Sequence, residues 1–143
     1  MDPWRAAEEF GRLAGLGSFS LESGEASVLL DSGARFGLLR CGRDVLAHVV
    51  HPVPHPDDGL ALRILKAAEG RELPGFPLQV GARGSGSEFC LVGAVRVGEA
   101  QLSGEALMRT ADQLLAWAES AAKAVSPPAQ NAARSKRRNI VGP

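Results

Sequence analysis

Three histidines, His48, His51 and His55, fall within eight positions, and two cysteines, Cys41 and Cys90, complete the side chains best suited to bind metal or act as nucleophiles. In a strand, positions 48 and 51 face opposite sides, because an odd offset switches faces. The two histidines cannot share a metal there, and the only nearby acids are Asp57 and Asp58. Surface or turn histidines are the simpler reading. Cys41 with His48 or His51 has the makings of a nucleophile and base. Yet it sits inside an apolar run with no oxyanion-hole glycine motif, so it reads as core. Gly81-Ala82-Arg83-Gly84-Ser85-Gly86-Ser87 has the composition of a phosphate-binding loop. Such a loop needs a following helix N-terminus and a Lys-Ser/Thr ending, and this run has neither, so it reads as a hairpin turn. Arg134, Lys136, Arg137 and Arg138 form a basic run near the C-terminus, suited to an acidic partner, a membrane surface or RNA, but also to plain solvation.

The elements that must position these groups are legible from punctuation and periodicity. Asp2-Pro3 opens a helix, with Asp2 as cap, and Trp4, Ala7, Phe10 and Leu13 recur at helical spacing. Strands are expected at 19–21 (short), 26–30, 35–41 and 45–53, the later ones joined by turns at Asp31-Ser32-Gly33 and Gly42-Arg43-Asp44. The prolines at 52, 54 and 56 end the third long strand. A second helix starts near Asp57-Asp58, carries the stripe Leu60, Ile64, Leu65 and Ala68, and stops at Gly70. Two strands, 78–82 and 88–97, flank the glycine-serine turn. Ser103 caps the last helix, whose stripe is Leu107, Ala111, Leu114, Leu115, Ala118, Ala122 and Val125, with Pro127-Pro128 as its stop.

The order is α-βββ-α-ββ-α: a single α+β domain over residues 1–125, with helices packed on a twisted antiparallel sheet. Residues 126–143 read as a disordered basic tail. A chain of 143 residues fits one domain, and 45% hydrophobic with 22% charged residues is ordinary for a globular protein. Basic and acidic residues number 16 each, but four basic ones lie in the tail. Residues 1–125 therefore hold 12 basic against 16 acidic residues, a net of −4. An acidic body argues against nucleic acid as the main partner. Two cysteines inside apolar runs suggest free thiols in a reducing cytosol. Met1 to Leu16 lacks a signal-peptide h-region, and no apolar run approaches the length of a membrane span, so a cytoplasmic protein without membrane insertion is expected.

The element order, the opening Phe10-Gly11-Arg12-Leu13-Ala14-Gly15-Leu16, the meander with Val28-Leu29-Leu30-Asp31 and Phe36-Gly37-Leu38-Leu39, and the helix Leu60 to Glu69 after a proline-rich strand end together resemble the class I chaperones of bacterial type III secretion systems (the CesT/SycE-like family). The resemblance covers about residues 4–125. It implies a homodimer that binds the N-terminal segment of one or more secreted effectors and keeps it soluble and secretion-competent, with no enzymatic activity and no cofactor or metal. It places the effector groove at Trp4, Phe10, Leu13, Phe19, Leu21, Val28 and Leu30. It places the dimer interface at Leu60, Ile64, Leu65, Ala68, Phe76, Leu78 and Val80. The same fold could instead sequester a regulatory protein and couple secretion to gene expression. A small metal- or thiol-dependent enzyme, or a nucleic-acid binder working through the tail, are the readings from other classes.

Overall fold

The computed structural model describes residues 1–69, 71, 73 and 75–126. The expected stops at Gly70 and Pro127-Pro128, and the tail beyond Ser126, lie outside the described residues. Three helices and five strands follow one another as α1 (Pro3–Leu13), β1 (Glu25–Leu29), β2 (Arg35–Cys41), β3 (Asp44–Pro52), α2 (Asp58–Ala68), β4 (Leu78–Arg83), β5 (Cys90–Val97) and α3 (Gly104–Ala124). The strands form one antiparallel sheet in the order β1-β2-β3-β5-β4.

Each helix start is capped by the residue that the sequence marks for it. The Asp2 carboxylate accepts from the Arg5 N–H at 2.9 Å, Asp57 from Leu60 at 3.0 Å, and the Ser103 hydroxyl from Ala106 at 3.0 Å. Replacing Ser103 by Ala removes a partner from the first turn of the longest helix. We expect a loss of about 1 kcal/mol in the free energy of unfolding, measured by urea titration. Gly33 and Gly42 turn the β1–β2 and β2–β3 hairpins with φ of 88° and 64°, which other residues adopt only at a cost.

The core lies between the helices and one face of the sheet. β2 contributes Phe36 and Leu38, β3 Val45, Ala47 and Val49, and β5 Leu91, Val95 and Val97, all buried. Phe10 of α1 packs on Phe19 and Phe36, with ring centroids 5.4 and 5.5 Å apart. α3 lies across β3 and β5 and against α1, while α2 rests on β4 and α3. Two differences from the sequence reading stand out. Residues 19–21 form no strand: they find no ladder partner, and Phe19 and Leu21 are instead buried as core anchors between α1 and β1. The turn before β5 contains a 3₁₀ turn, Gly86–Glu88, so that strand starts at Cys90 rather than at 88.

Candidate functional site

The first candidate surface joins α1 to the β1 edge. β1 is a five-residue edge strand whose outer backbone groups face no other strand of the sheet. On α1, Trp4 and Leu13 are large apolar side chains at 41% and 50% exposure. The Arg40 guanidinium lies over the Trp4 ring, 4.9 Å from its centroid, a cation–π contact that braces the indole at the surface. Val28 and Leu30 are half-buried, whereas Phe10, Phe19 and Leu21 are buried beneath them. Of the seven residues expected to line a groove, two are thus open, two are half-open and three form core.

The second group, expected at a dimer interface, gathers on α2 and the start of β4. Leu60, Ile64, Leu65, Phe76 and Val80 are half-buried, and Ala68 and Leu78 are buried. Ile64 and Ala68 also line a groove of about 490 Å³ between α2 and α3, with Leu73, Trp117 and Ala121. Leu62 projects from α2 at 55% exposure, and the sequence reading did not single it out. Its position outside the i, i+3, i+4 stripe hid it.

The catalytic readings find no shared site. His48 stands on the sheet face away from the helices, opposite Gly37, and His51 points to the other face. Among the described residues, no group of three or more His, Cys, Asp or Glu is placed to hold a metal. Nor is any described helix long and apolar enough to cross a membrane. Cys41 and Cys90 are free thiols at opposite corners of the open face. Asp44 hydrogen-bonds the Arg96 guanidinium at 2.9 Å and the Glu99 N–H at 3.0 Å. Those two contacts, the arginine first, hold its carboxyl below the ordinary carboxylate range.

The surroundings of His48 move its pKa. Partial burial lowers it below the ordinary 6.5, and the Glu25 charge offsets this in part. Between the lowered value and about 6.5, the unfolded chain holds more protons than the folded one, so stability rises with pH across that window. Unfolding midpoints should fall as pH drops below 6.5. A His48→Gln variant should show a flatter profile; an unchanged slope would place the dependence elsewhere.

No family model matches the chain, and no curated protein matches its sequence. Solved structures do match it. The ExsC–ExsE complex contains a chain that aligns with a TM-score of 0.65 and 26% identity, over 90% of this chain and 99% of that one. The HopA1–SchA chaperone-effector complex aligns with a TM-score of 0.63 and 16% identity, over 83% of this chain and 91% of that one. The Yersinia pestis type III secretion chaperone SycH, in complex with a stable fragment of YscM2, aligns with a TM-score of 0.62 and 14% identity, over 83% and 96%. The chain has the fold of the type III secretion chaperones. The α-βββ-α-ββ-α order expected from sequence is this chaperone fold, with three helices on a five-stranded antiparallel sheet. The matches span nearly the whole of each chaperone chain, so the likeness covers the complete domain and not one motif of it.

Proposed function

We propose that the chain is a homodimeric type III secretion chaperone, a binding protein with no reaction of its own, which holds the N-terminal segment of a secreted protein in the cytoplasm. The observation that carries this reading is the end-to-end match, at 26% identity, to a chain crystallised in a two-protein complex. The α1–β1 surface has the physical means. An extended segment adding to the short β1 edge gains main-chain hydrogen bonds, and alternate side chains reach Trp4, Leu13, Val28 and Leu30. A segment held this way stays unfolded and cannot aggregate, and equilibrium binding alone does the work. The half-buried stripe Leu60, Ile64 and Leu65, with Phe76 and Val80, supplies the apolar surface for a two-fold contact, joined by the buried Ala68 and Leu78 below it.

The test is co-expression with the first ~100 residues of proteins encoded beside this chain, a length suited to wrapping a dimer. The mass of any complex is then read by light scattering. Two copies with one captured segment supports the proposal. A dimer that captures none, or that captures a protein never secreted, replaces it with the sequestering reading, and a monomer removes the two-fold interface. Trp4→Ala combined with Leu13→Asp should weaken capture by about tenfold or more while leaving the dimer intact, since hot-spot aromatics at contact surfaces contribute about 2 kcal/mol each. Ile64→Asp should do the reverse and shift the dimer towards monomer.

A further inference from the structure

Two grooves flank the end of α3. One faces α2 and is described above. The other, of about 560 Å³, lies on the other flank of the helix: Leu115, Ala122 and Ser126 form one wall, and Leu30, Ala34 and Val53 form the opposite one. Ser126 is also the last described residue, so the chain leaves the domain through this groove. Val125 fixes the exit. It is fully buried, and its carbonyl accepts from the Asp57 N–H at 2.8 Å. Pro127 follows, and the helical conformation is disfavoured before proline, so the chain turns off the α3 axis at Ser126.

The far wall of the groove is the near end of the β1 edge. The Leu30 N–H donates to the Ala34 carbonyl and the Arg40 N–H to that of Gly24, so the even-numbered residues here bond towards β2. Glu25, Ser27 and Leu29 therefore direct their N–H and C=O groups outward. The exposed acids Glu22, Glu25 and Asp31 stand along the same edge, in no ion pair among the described residues. Arg35 of β2 is the basic group beside them, and it donates to the Ser27 hydroxyl at 3.3 Å. Residues 127–143 hold four basic residues, Arg134, Lys136, Arg137 and Arg138, and no acid. Seven residues separate Ser126 from Arg134. Extended, they span up to roughly 25 Å, about twice the diameter of a helix, which is enough to cross from α3 to the β1–β2 turn.

We infer that the chain occupies its own groove: residues 127–133 lie along it, and residues 134–138 add to the β1 edge as a sixth strand. A segment entering at Leu30 and running towards Glu25 is antiparallel to β1, as β2 is on the other side. Its basic side chains meet Asp31 at the entry and Glu25 and Glu22 beyond. The groove agrees in polarity. Leu30, Val53, Leu115 and Ala122 suit the uncharged residues 127–133, and the basic charge begins only where the edge acids do. Any other occupant must displace a chain that already passes through. The tail so placed covers an edge that would otherwise template pairing with other chains. Its role in capture rests on the partner-binding reading. The tail competes with the captured segment for β1, and only the fraction of molecules with a free edge binds.

The test labels the full chain. Asn139→Cys carries a nitroxide, Cys41→Ser and Cys90→Ser remove the native thiols, and paramagnetic broadening of backbone amides is read by NMR. Broadening should centre on Glu25 and Ser27 and spare Ala67 and Ala116 in the α2–α3 groove. A freely solvated tail would carry the label roughly 20 Å from Ser126 in every direction and broaden both flanks of α3 alike. That pattern, or none at β1, overturns the inference. Arg134→Glu, Lys136→Glu, Arg137→Glu and Arg138→Glu together leave the described domain unaltered and should abolish the β1 broadening; broadening that persists overturns the charge pairing and the inference with it. Isotope-labelled chain without nitroxide, refolded with nitroxide-bearing chain without isotope, should show no broadening. Broadening in that mixture assigns the tail to a second copy and overturns self-occupation. Competition is read separately. The charge-reversed chain should bind a co-expressed segment severalfold more tightly than the natural one, and equal affinity overturns the competing role. Failure to capture any segment counts against the chaperone reading, and the NMR result decides the place of the tail independently of it.

Discussion

Phe36→Ala will lower the free energy of unfolding by roughly 3–5 kcal/mol, a large share of the stability of a domain of this size. Phe36 is 2% exposed in β2 and meets Phe10 of α1 at 5.5 Å, the two ring planes tilted by 44°. Phe10 in turn meets Phe19, so one ring joins the first helix, the sheet and the link to β1. Removing it leaves a cavity that surrounding strands, held by ladder bonds on both sides, cannot close. Urea denaturation followed by far-UV circular dichroism measures the loss. A cost under about 1 kcal/mol would mean that α1 does not pack here. Leu39→Ala, three residues later on the open face, should change stability by less than about 0.5 kcal/mol, as surface substitutions do.

Gly93→Val will cost about 1–3 kcal/mol or more through overpacking. A Cβ at position 93 would stand 2.5 Å from the Trp117 ring carbon Cζ3 and 3.0 Å from Cε3. Trp117 is 7% exposed on α3 against the sheet, so a side chain at position 93 must push its ring towards the α2–α3 groove and disturb that packing. The sign is informative, since glycine inside a strand is otherwise unfavourable and a side chain there ordinarily stabilises. Gly81 serves as the internal control. It lies in the neighbouring strand, on the opposite face, and its Cβ would meet nothing within 4 Å. Gly81→Ala should therefore be neutral or stabilising by about 0.4–1 kcal/mol. Placing Gly93→Ala in a Trp117→Leu background should remove most of its cost. Strictly additive losses in that double-mutant cycle would rule out the contact.

These contrasts show where sequence reasoning reached and where it stopped. Caps and turns are local chemistry. Asp2, Asp57 and Ser103 each bond within three residues of themselves, and Gly33 and Gly42 take up a backbone conformation that few other residues tolerate. All five were readable, and with them the order of elements and the chaperone-like fold. Trp117 was missed from the α3 stripe because its partner is a glycine 24 positions earlier, and neither residue signals the other in sequence. Phe10, Phe19 and Leu21 look like groove residues on a helix and a strand, but long-range packing buries them, whereas Trp4 and Leu13 on the same helix stay open.

The apolar side chains of the open face were equally invisible as a surface. Leu39, Leu46, Val50 and Val92 sit in runs that read as strand core, because a strand apolar on both sides carries no mark of which side a helix will cover. The sequence by itself determined the helix starts, the hairpin turns and the α-βββ-α-ββ-α order, because each depends on interactions within a few residues. Only the tertiary structure decided which apolar residues are core and which remain open for a partner, because burial depends on what the rest of the chain lays over them.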